Sequence, residues 1–368
     1  MRLFISHFTP LEHYPPIQNL LHFLEGEAKI DKVYCFTTKG RLSPINFNKK
    51  IVVYRLGILA SNKILLWSTY ILFNIFSFLY LVLRRPQKLL YFESLSVYPV
   101  FLYKKYINRK AEIYIHYHEY TTINEYQQAS PIRRFFHSKE KYLYFNANWI
   151  SHTNEVRLQK FLNDEGINFD SLIHHVMPNY PSKKWAKINS KWDKGQTLKL
   201  VYVGYSLTKE DSYLSEVVAF LKTSKIPIEV NTYCILPNDY LKSFEECGVN
   251  FTFKIHEPLL YEQLPEILSQ HHIGLILYKS VKENVIHCAP NKLFEYLSCG
   301  LDVWYPEEMQ GIHSYDTNGR PKVLRLDFKK LEQLKFYDLL ESKSENDNMA
   351  FFAEDIYSVL EKSIKEQD

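Results

Sequence analysis

Two places in the sequence gather side chains that could do chemistry. The first is Pro290-Asn291-Lys292-Leu-Phe-Glu295, which holds an amine and a carboxylate in the first turns of an expected helix. Proline suits that first turn, Leu293, Phe294 and Leu297 give an apolar stripe at helical spacing, and Gly300 is the expected left-handed stop. The apolar run Ile273-Gly-Leu-Ile-Leu-Tyr278 precedes it and reads as a buried parallel strand, and residues 301–305 resume as another. A helix N-terminus beside the C-terminal end of a parallel strand is where such sheets bind anionic ligands. The second place is His116-Tyr-His118-Glu119-Tyr120, at the end of an expected strand over 112–117. Histidine and glutamate at that end of a parallel strand sit where such domains keep their chemistry, while His116, one step further into the strand, reads as structural. A weaker signal is Gly204, which closes an expected strand over 198–204 and leads into Tyr205-Ser-Leu-Thr-Lys209. A glycine turn there lets backbone N–H groups approach a phosphate.

The string Pro-Asn-Lys-Leu-Phe-Glu-Tyr-Leu-Ser-Cys-Gly-Leu resembles the donor-site signature of the retaining "glycosyl transferases group 1" family, whose members adopt the GT-B fold. The resemblance implies that Glu295 holds the ribose hydroxyls of a nucleotide-sugar donor, with Pro290, Asn291 and Lys292 around it. The position eight residues before Glu295 usually carries a second Glu facing the donor sugar; here it is His287. His118-Glu119 resembles the family's motif in the first domain, where the His lies over the donor sugar and the acidic neighbour shapes the site. Gly204 and Lys209 correspond to the glycine turn and a diphosphate-binding lysine, with Tyr205 where the family has Arg. Val176-Met-Pro-Asn-Tyr180 resembles the segment that ends the first domain, with Tyr180 where Gly is common. The first loop of GT-B enzymes faces the acceptor, which makes Ser6, His7 and His13 candidate acceptor contacts. No cofactor or metal is implied, and the donor is a substrate.

These groups need two doubly wound sheets to position them. A chain of 368 residues suits two domains, and 46% apolar with 23% charged residues is globular material. Strands are expected over 2–8, 32–38, 51–56, 88–92, 112–117 and 149–153, with helices between. That βα alternation predicts a Rossmann-like first domain over 1–180. The polar, lysine-rich 181–196 reads as a linker, and a second Rossmann-like domain follows over 197–347. A helix is expected over 239–247, and an amphipathic helix over 348–368 closes the chain. In the GT-B fold the two domains face each other across a cleft, and the last helix commonly crosses back onto the first.

Residues 64–83 carry no charge and are long enough to span a membrane. Trp67, Tyr70 and Tyr80 in mid-span, and a position between two strands of one sheet, predict instead a buried or interface-lying helix. Basic pairs at Arg84-Arg85, Lys104-Lys105, Arg109-Lys110 and Arg133-Arg134 read as solvated helix ends, and beside exposed aromatics they would suit an anionic membrane surface. Five scattered cysteines predict reduced thiols and a cytoplasmic protein, peripheral on the inner face of the membrane if those basic pairs meet it. The N-terminus reads as a strand, not a signal peptide. A net charge of +4 without a matching motif argues against nucleic acid. Adjacent His174 and His175 point to opposite faces of a strand, which excludes a zinc site there.

Absence of an Asp-x-Asp pair predicts metal-independent stabilisation of the leaving phosphates by Lys209, Lys292 and main-chain donors. What the resemblance implies is a hexosyl-type, retaining transferase, with the expected function of moving sugar from a nucleotide-diphosphate donor to a glycan or lipid-linked acceptor in cell-surface polysaccharide synthesis. A GT-B-fold nucleotide-sugar epimerase, or a non-catalytic nucleotide- or glycan-binding member, are the competing expectations.

Overall fold

The computed structural model describes residues 2–59, 61–186, 192–237, 250–280, 282–341 and 351–366. The chain divides into two compact units, residues 1–179 with 353–368, and residues 180–352. The helix expected over 239–247, the middle of the expected linker and the start of the expected closing helix lie outside the described residues.

In the first unit, strands β1 (Arg2–His7), β2 (Lys32–Lys39), β3 (Ile51–Ile58), β4 (Lys88–Phe92), β5 (Glu112–Tyr117), β6 (Trp149–His152) and β7 (His174–Val176) form one sheet in the order β3-β2-β1-β4-β5-β6-β7. Every pairing is parallel. Parallel strands covered on both faces read as unbroken apolar runs, and β4 is buried along its whole length. The strand order reverses between β1 and β4, so the crevice beyond their C-terminal ends is the place for a ligand. Register puts His7 beside Phe92 and Phe92 beside His116 at that edge.

Helices α1 (Pro15–Gly26), α2 (Lys63–Arg84), α3 (Val97–Leu102), α4 (Ile123–Gln128), α5 (Pro131–Tyr144) and α6 (Glu155–Glu165) cover this sheet. Local sequence fixes their ends. Thr122 and Glu125 form a reciprocal capping box on α4, and Asn154 caps α6, which Gly166 stops at φ +66°. The closing helix Ala353–Glu366 belongs to this unit. Tyr357 donates to the Pro16 carbonyl at 2.7 Å and Tyr114 to that of Ser363 at 3.2 Å. Helix α2 differs from a buried helix, since only Thr69, Phe73, Ser77 and Leu81 are buried.

The second unit repeats the plan. Strands β8 (Leu198–Ser206), β9 (Ile228–Ile235), β10 (Phe251–His256), β11 (Ile273–Leu275), β12 (Asp302–Pro306) and β13 (Val323–Leu326) run in the order β10-β9-β8-β11-β12-β13, all parallel. The order reverses between β8 and β11. Strand β8 does not end at Gly204 as expected; it continues to Ser206 because β9 carries the pairing past the glycine through a register shift. Trp185, within the expected linker, is buried in this unit's core with its ring 4.7 Å from that of Tyr261.

Candidate functional site

In the second unit the helix Asn291–Ser298 follows β11 and packs on the sheet at its reversal point. Tyr296 fixes it there. Its hydroxyl accepts from the Val203 N–H of β8 at 3.2 Å and donates to the Leu275 carbonyl of β11 at 3.3 Å, joining the two strands that diverge. Gly274 lets the ring in: a Cβ at that position would lie 2.2 Å from it. Pro290 precedes the helix in extended conformation and no side chain caps the end. The N–H of Leu293 closes on the Pro290 carbonyl at 3.0 Å, and those of Asn291 and Lys292, with no partner among the described residues, are left to meet an anion.

Lys292 is held between two aromatic faces. Its ammonium lies 4.9 Å from the Tyr202 ring centre and 4.7 Å from that of Tyr278, and it donates to the Tyr278 hydroxyl at 2.5 Å. Burial opposes the charge, and Tyr202, Tyr278 and Tyr296 outweigh it, so the amine stays well above its ordinary range. One turn on, Glu295 is 7% exposed. Burial pushes its carboxyl up to about 7, with Lys292 working the other way. No hydrogen bond reaches its carboxylate from any described residue. A buried carboxylate that no protein donor satisfies is suited to accept from a ligand's hydroxyls.

Lys209 is exposed, and its carbonyl accepts from Lys279 at 3.0 Å. Ser212 bridges to Tyr278 nearby, which brings the loop after β8 against the residue that Lys292 bonds. Tyr205 is 79% exposed. His287 is buried, with Nε2 2.8 Å from a carboxylate oxygen of Glu283.

In the first unit His118 sits just past β5 and is buried. Both of its main-chain polar groups are gripped by side chains: Glu93 accepts from its N–H at 2.6 Å, and Arg157 donates to its carbonyl. Its ring stacks on Phe92 at 5.4 Å and meets Tyr14 at 5.4 Å. The hydrogen-bond chain fixes its tautomer. Asn179 Oδ1 can only accept, so His118 Nδ1 is the donor to it, and His116 Nδ1, 2.9 Å from Ser151 Oγ, completes the chain as a donor to that hydroxyl. His116 Nε2 is then an acceptor, and the proton of His118 lies on Nδ1, facing that nitrogen at 3.3 Å and Asn179 Oδ1 at 3.1 Å. His118 Nε2 is left with a lone pair and no hydrogen-bond partner among the described residues. Burial depresses this histidine to about 4, against the Asn179 bond. At neutral pH it is an uncharged acceptor for a hydroxyl, and a poor base.

Glu119 is exposed, and its N–H also donates to Glu93, at 3.2 Å. Ser6 is fully buried and donates to the Ser96 carbonyl at 3.0 Å. His7 is fully buried too, its ring 4.8 Å from Tyr14, and neither ring nitrogen has a hydrogen-bond partner among the described residues. Of the three expected acceptor contacts only His13 is exposed.

Sequence reasoning missed Glu93. It stands one residue beyond β4, at the reversal of the strand order, with φ +63° and ψ 155°. That region of backbone space is essentially glycine-only, and a side chain held there marks a site where the surroundings over-determine the conformation. Burial, reinforced by Glu119, pushes its carboxyl up to about 8. Its place after the strand beside β1 was the available signal.

No family model matches the sequence, and no curated protein matches it. Solved structures do. The apo form of the lipopolysaccharide outer core galactosyltransferase WaaB superposes with a TM-score of 0.66 at 12% identity, covering 100% of both chains. Sucrose-phosphate synthase from Thermosynechococcus elongatus gives 0.67 at 14% identity, over 100% of this chain and 99% of that one. UDP-GlcNAc 2-epimerase from Neisseria meningitidis, bound to UDP-GlcNAc, gives 0.56 at 12% identity over 100% of both chains. Likenesses at this identity show the fold, which is the two-domain α/β GT-B fold.

Proposed function

We propose that the chain is a glycosyltransferase that moves a sugar from a nucleoside-diphosphate donor to a glycan or lipid-linked acceptor, in cell-surface polysaccharide synthesis. The observation that carries the reading is Glu295, a carboxylate 7% exposed that no described residue hydrogen-bonds, one turn from the tyrosine-flanked Lys292. A ribose presents two adjacent hydroxyls, and one carboxylate satisfies both. Lys292, Lys209 and the uncapped helix end supply positive charge to the diphosphate, on which negative charge grows as the glycosidic bond breaks. We assign nucleotide recognition to the second unit. To the first we assign the handling of sugar hydroxyls, with His118 Nε2 as acceptor and Glu119 at its side. On this reading the reaction is retaining and needs no metal, and the protein works in the cytoplasm.

A nucleotide-sugar epimerase is the second reading, favoured by one observation. Glu93 puts a carboxyl of raised pKa beside His118, and epimerisation needs acid and base groups there. Its Oε1 is already engaged by two main-chain N–H groups, which argues for a supporting role. Incubating the protein with nucleotide sugars, first alone and then with acceptor, separates the readings. Transfer gives a glycosylated product only with acceptor. Isomerised sugar from donor alone would instead establish the epimerase, and neither product would leave a binding protein.

A further inference from the structure

Helix α2 is built inside out. Its row Thr69, Phe73, Ser77 and Leu81 is fully buried, two small polar residues among them. Thr69 exchanges hydrogen bonds with the main chain of Ile58, at 3.0 and 2.8 Å, tying the helix to the edge strand β3. The opposite row is apolar and turned outward: Trp67 is 55% exposed, Ile71 55%, Ile75 51%, Leu79 49% and Leu83 79%. A soluble surface helix shows the reverse arrangement. The helix has 22 residues and is therefore about 33 Å long, so this ridge is a continuous apolar strip.

The neighbouring helices pack against α2 through aromatic rings. The rings of Tyr70 on α2 and Phe136 on α5 lie 6.3 Å apart, and those of Tyr98 on α3 and Phe135 on α5 lie 5.2 Å apart. Phe135 and Tyr106 are exposed as well. Charge around the strip has one sign. Lys63, Arg84 and Arg85 stand at the ends of α2, and Arg133 and Arg134 on α5, all exposed. The three helices contain a single carboxylate, Glu140, and it is fully buried.

We infer that this face is a docking surface for an anionic lipid bilayer, with α2 lying in the plane of the headgroups and its Trp67–Leu83 ridge immersed. Three observations select that occupant. An apolar ridge on helices that carry exposed cations and no exposed carboxylate matches acyl chains beneath anionic headgroups. A second copy of the chain placed symmetrically on this face would bring arginines against arginines. A span is ruled out because β3 and β4, on either side of α2, belong to one sheet. The inference holds whether or not the chain moves a sugar.

The test is flotation of the full chain with vesicles of phosphatidylcholine, alone and mixed with phosphatidylglycerol. Binding is expected to the anionic vesicles, to weaken with salt, and to fall about thirtyfold when Arg84 and Arg85 are both changed to Gln. The double variant Ile71→Glu/Ile75→Glu is expected to abolish it with an unchanged melting temperature, because both side chains point outward. Should that variant fail to fold, bromine-labelled lipid keeps the test alive: it should quench the wild-type tryptophan fluorescence, and Trp67→Phe should remove the quenching. The inference is overturned if the wild type stays unbound at low salt, or if the glutamate variant binds as well as the wild type. It is equally overturned if the chain forms a dimer in vesicle-free solution that the glutamates dissociate.

Discussion

The main-chain N–H of His118 donates to Glu93 at 2.6 Å, and Glu93 makes that contact from a backbone conformation at φ +63°. Holding a non-glycine residue there costs about 1–3 kcal/mol, which the rest of the unit must offset. The arrangement trades stability for a fixed His118, whose carbonyl Arg157 holds from the other side.

Glu93→Ala should therefore lose about 1–3 kcal/mol from the broken bonds to two main-chain donors and lower turnover. Glu93→Gln should stay near wild type at neutral pH. The native carboxyl titrates at about 8 and is already uncharged there, and glutamine keeps the accepting oxygen. Urea denaturation of both variants decides it; an alanine variant as stable as wild type would remove Glu93 from this role.

Glu140 sets a pH dependence. It is fully buried, accepts from Tyr117 at 2.6 Å, and burial pushes it up to about 8 from 4.5. Between those values the folded protein holds a proton that the unfolded chain has lost, so stability falls as pH rises through that window. Glu140→Gln should match wild type at about pH 5 and exceed it by about 2–4 kcal/mol at about pH 9, a difference read from denaturation midpoints. A wild-type advantage at high pH would contradict the buried neutral carboxyl.

Gly274 is the close contact beneath the second site. A methyl group there would lie 2.2 Å from the Tyr296 ring, so Gly274→Ala should push the Asn291–Ser298 helix off β8 and β11. About 1–3 kcal/mol of stability should be lost, together with nucleotide affinity. Thermal melting with and without nucleotide checks both, and full retention of affinity would detach the helix position from binding.

Much of the fold was legible because parallel strands covered on both faces are apolar runs, as in Lys88–Phe92 and Leu198–Ser206. The helix carrying Lys292 and Glu295 was legible for another reason: Pro290, the apolar stripe and Gly300 mark its start, face and stop. Other features were not. Glu93 is a lone carboxylate in sequence, and its meaning comes from a left-handed backbone and a partner 25 residues away. Ser6 and His7, at the end of the strand expected over 2–8, read as candidate acceptor contacts, yet β1 is a central strand that buries both. For residues 64–83, composition cannot tell an apolar ridge turned inward from one turned outward; only the burial of Thr69 and Ser77 does so.

His118→Ala should cut turnover while leaving nucleotide affinity in place, since His118 and Glu295 lie in different units. With its pKa depressed to about 4, His118 should contribute no titration to the rate profile near neutrality. Kinetics across pH against calorimetric affinity would show it, and a rate step near the ordinary histidine range that vanishes in the variant would contradict the neutral acceptor.

The central claim is that Glu295 accepts the ribose hydroxyls of a nucleoside diphosphate, and calorimetric titration with UDP and GDP tests it most directly. Wild type should bind one of them, more tightly as pH rises through about 7 and the carboxylate ionises. Glu295→Ala should lose about ten- to a hundredfold in affinity and the pH dependence with it, the worth of hydrogen bonds to a charged acceptor. Wild-type affinity in the alanine variant, at every pH, would contradict the account.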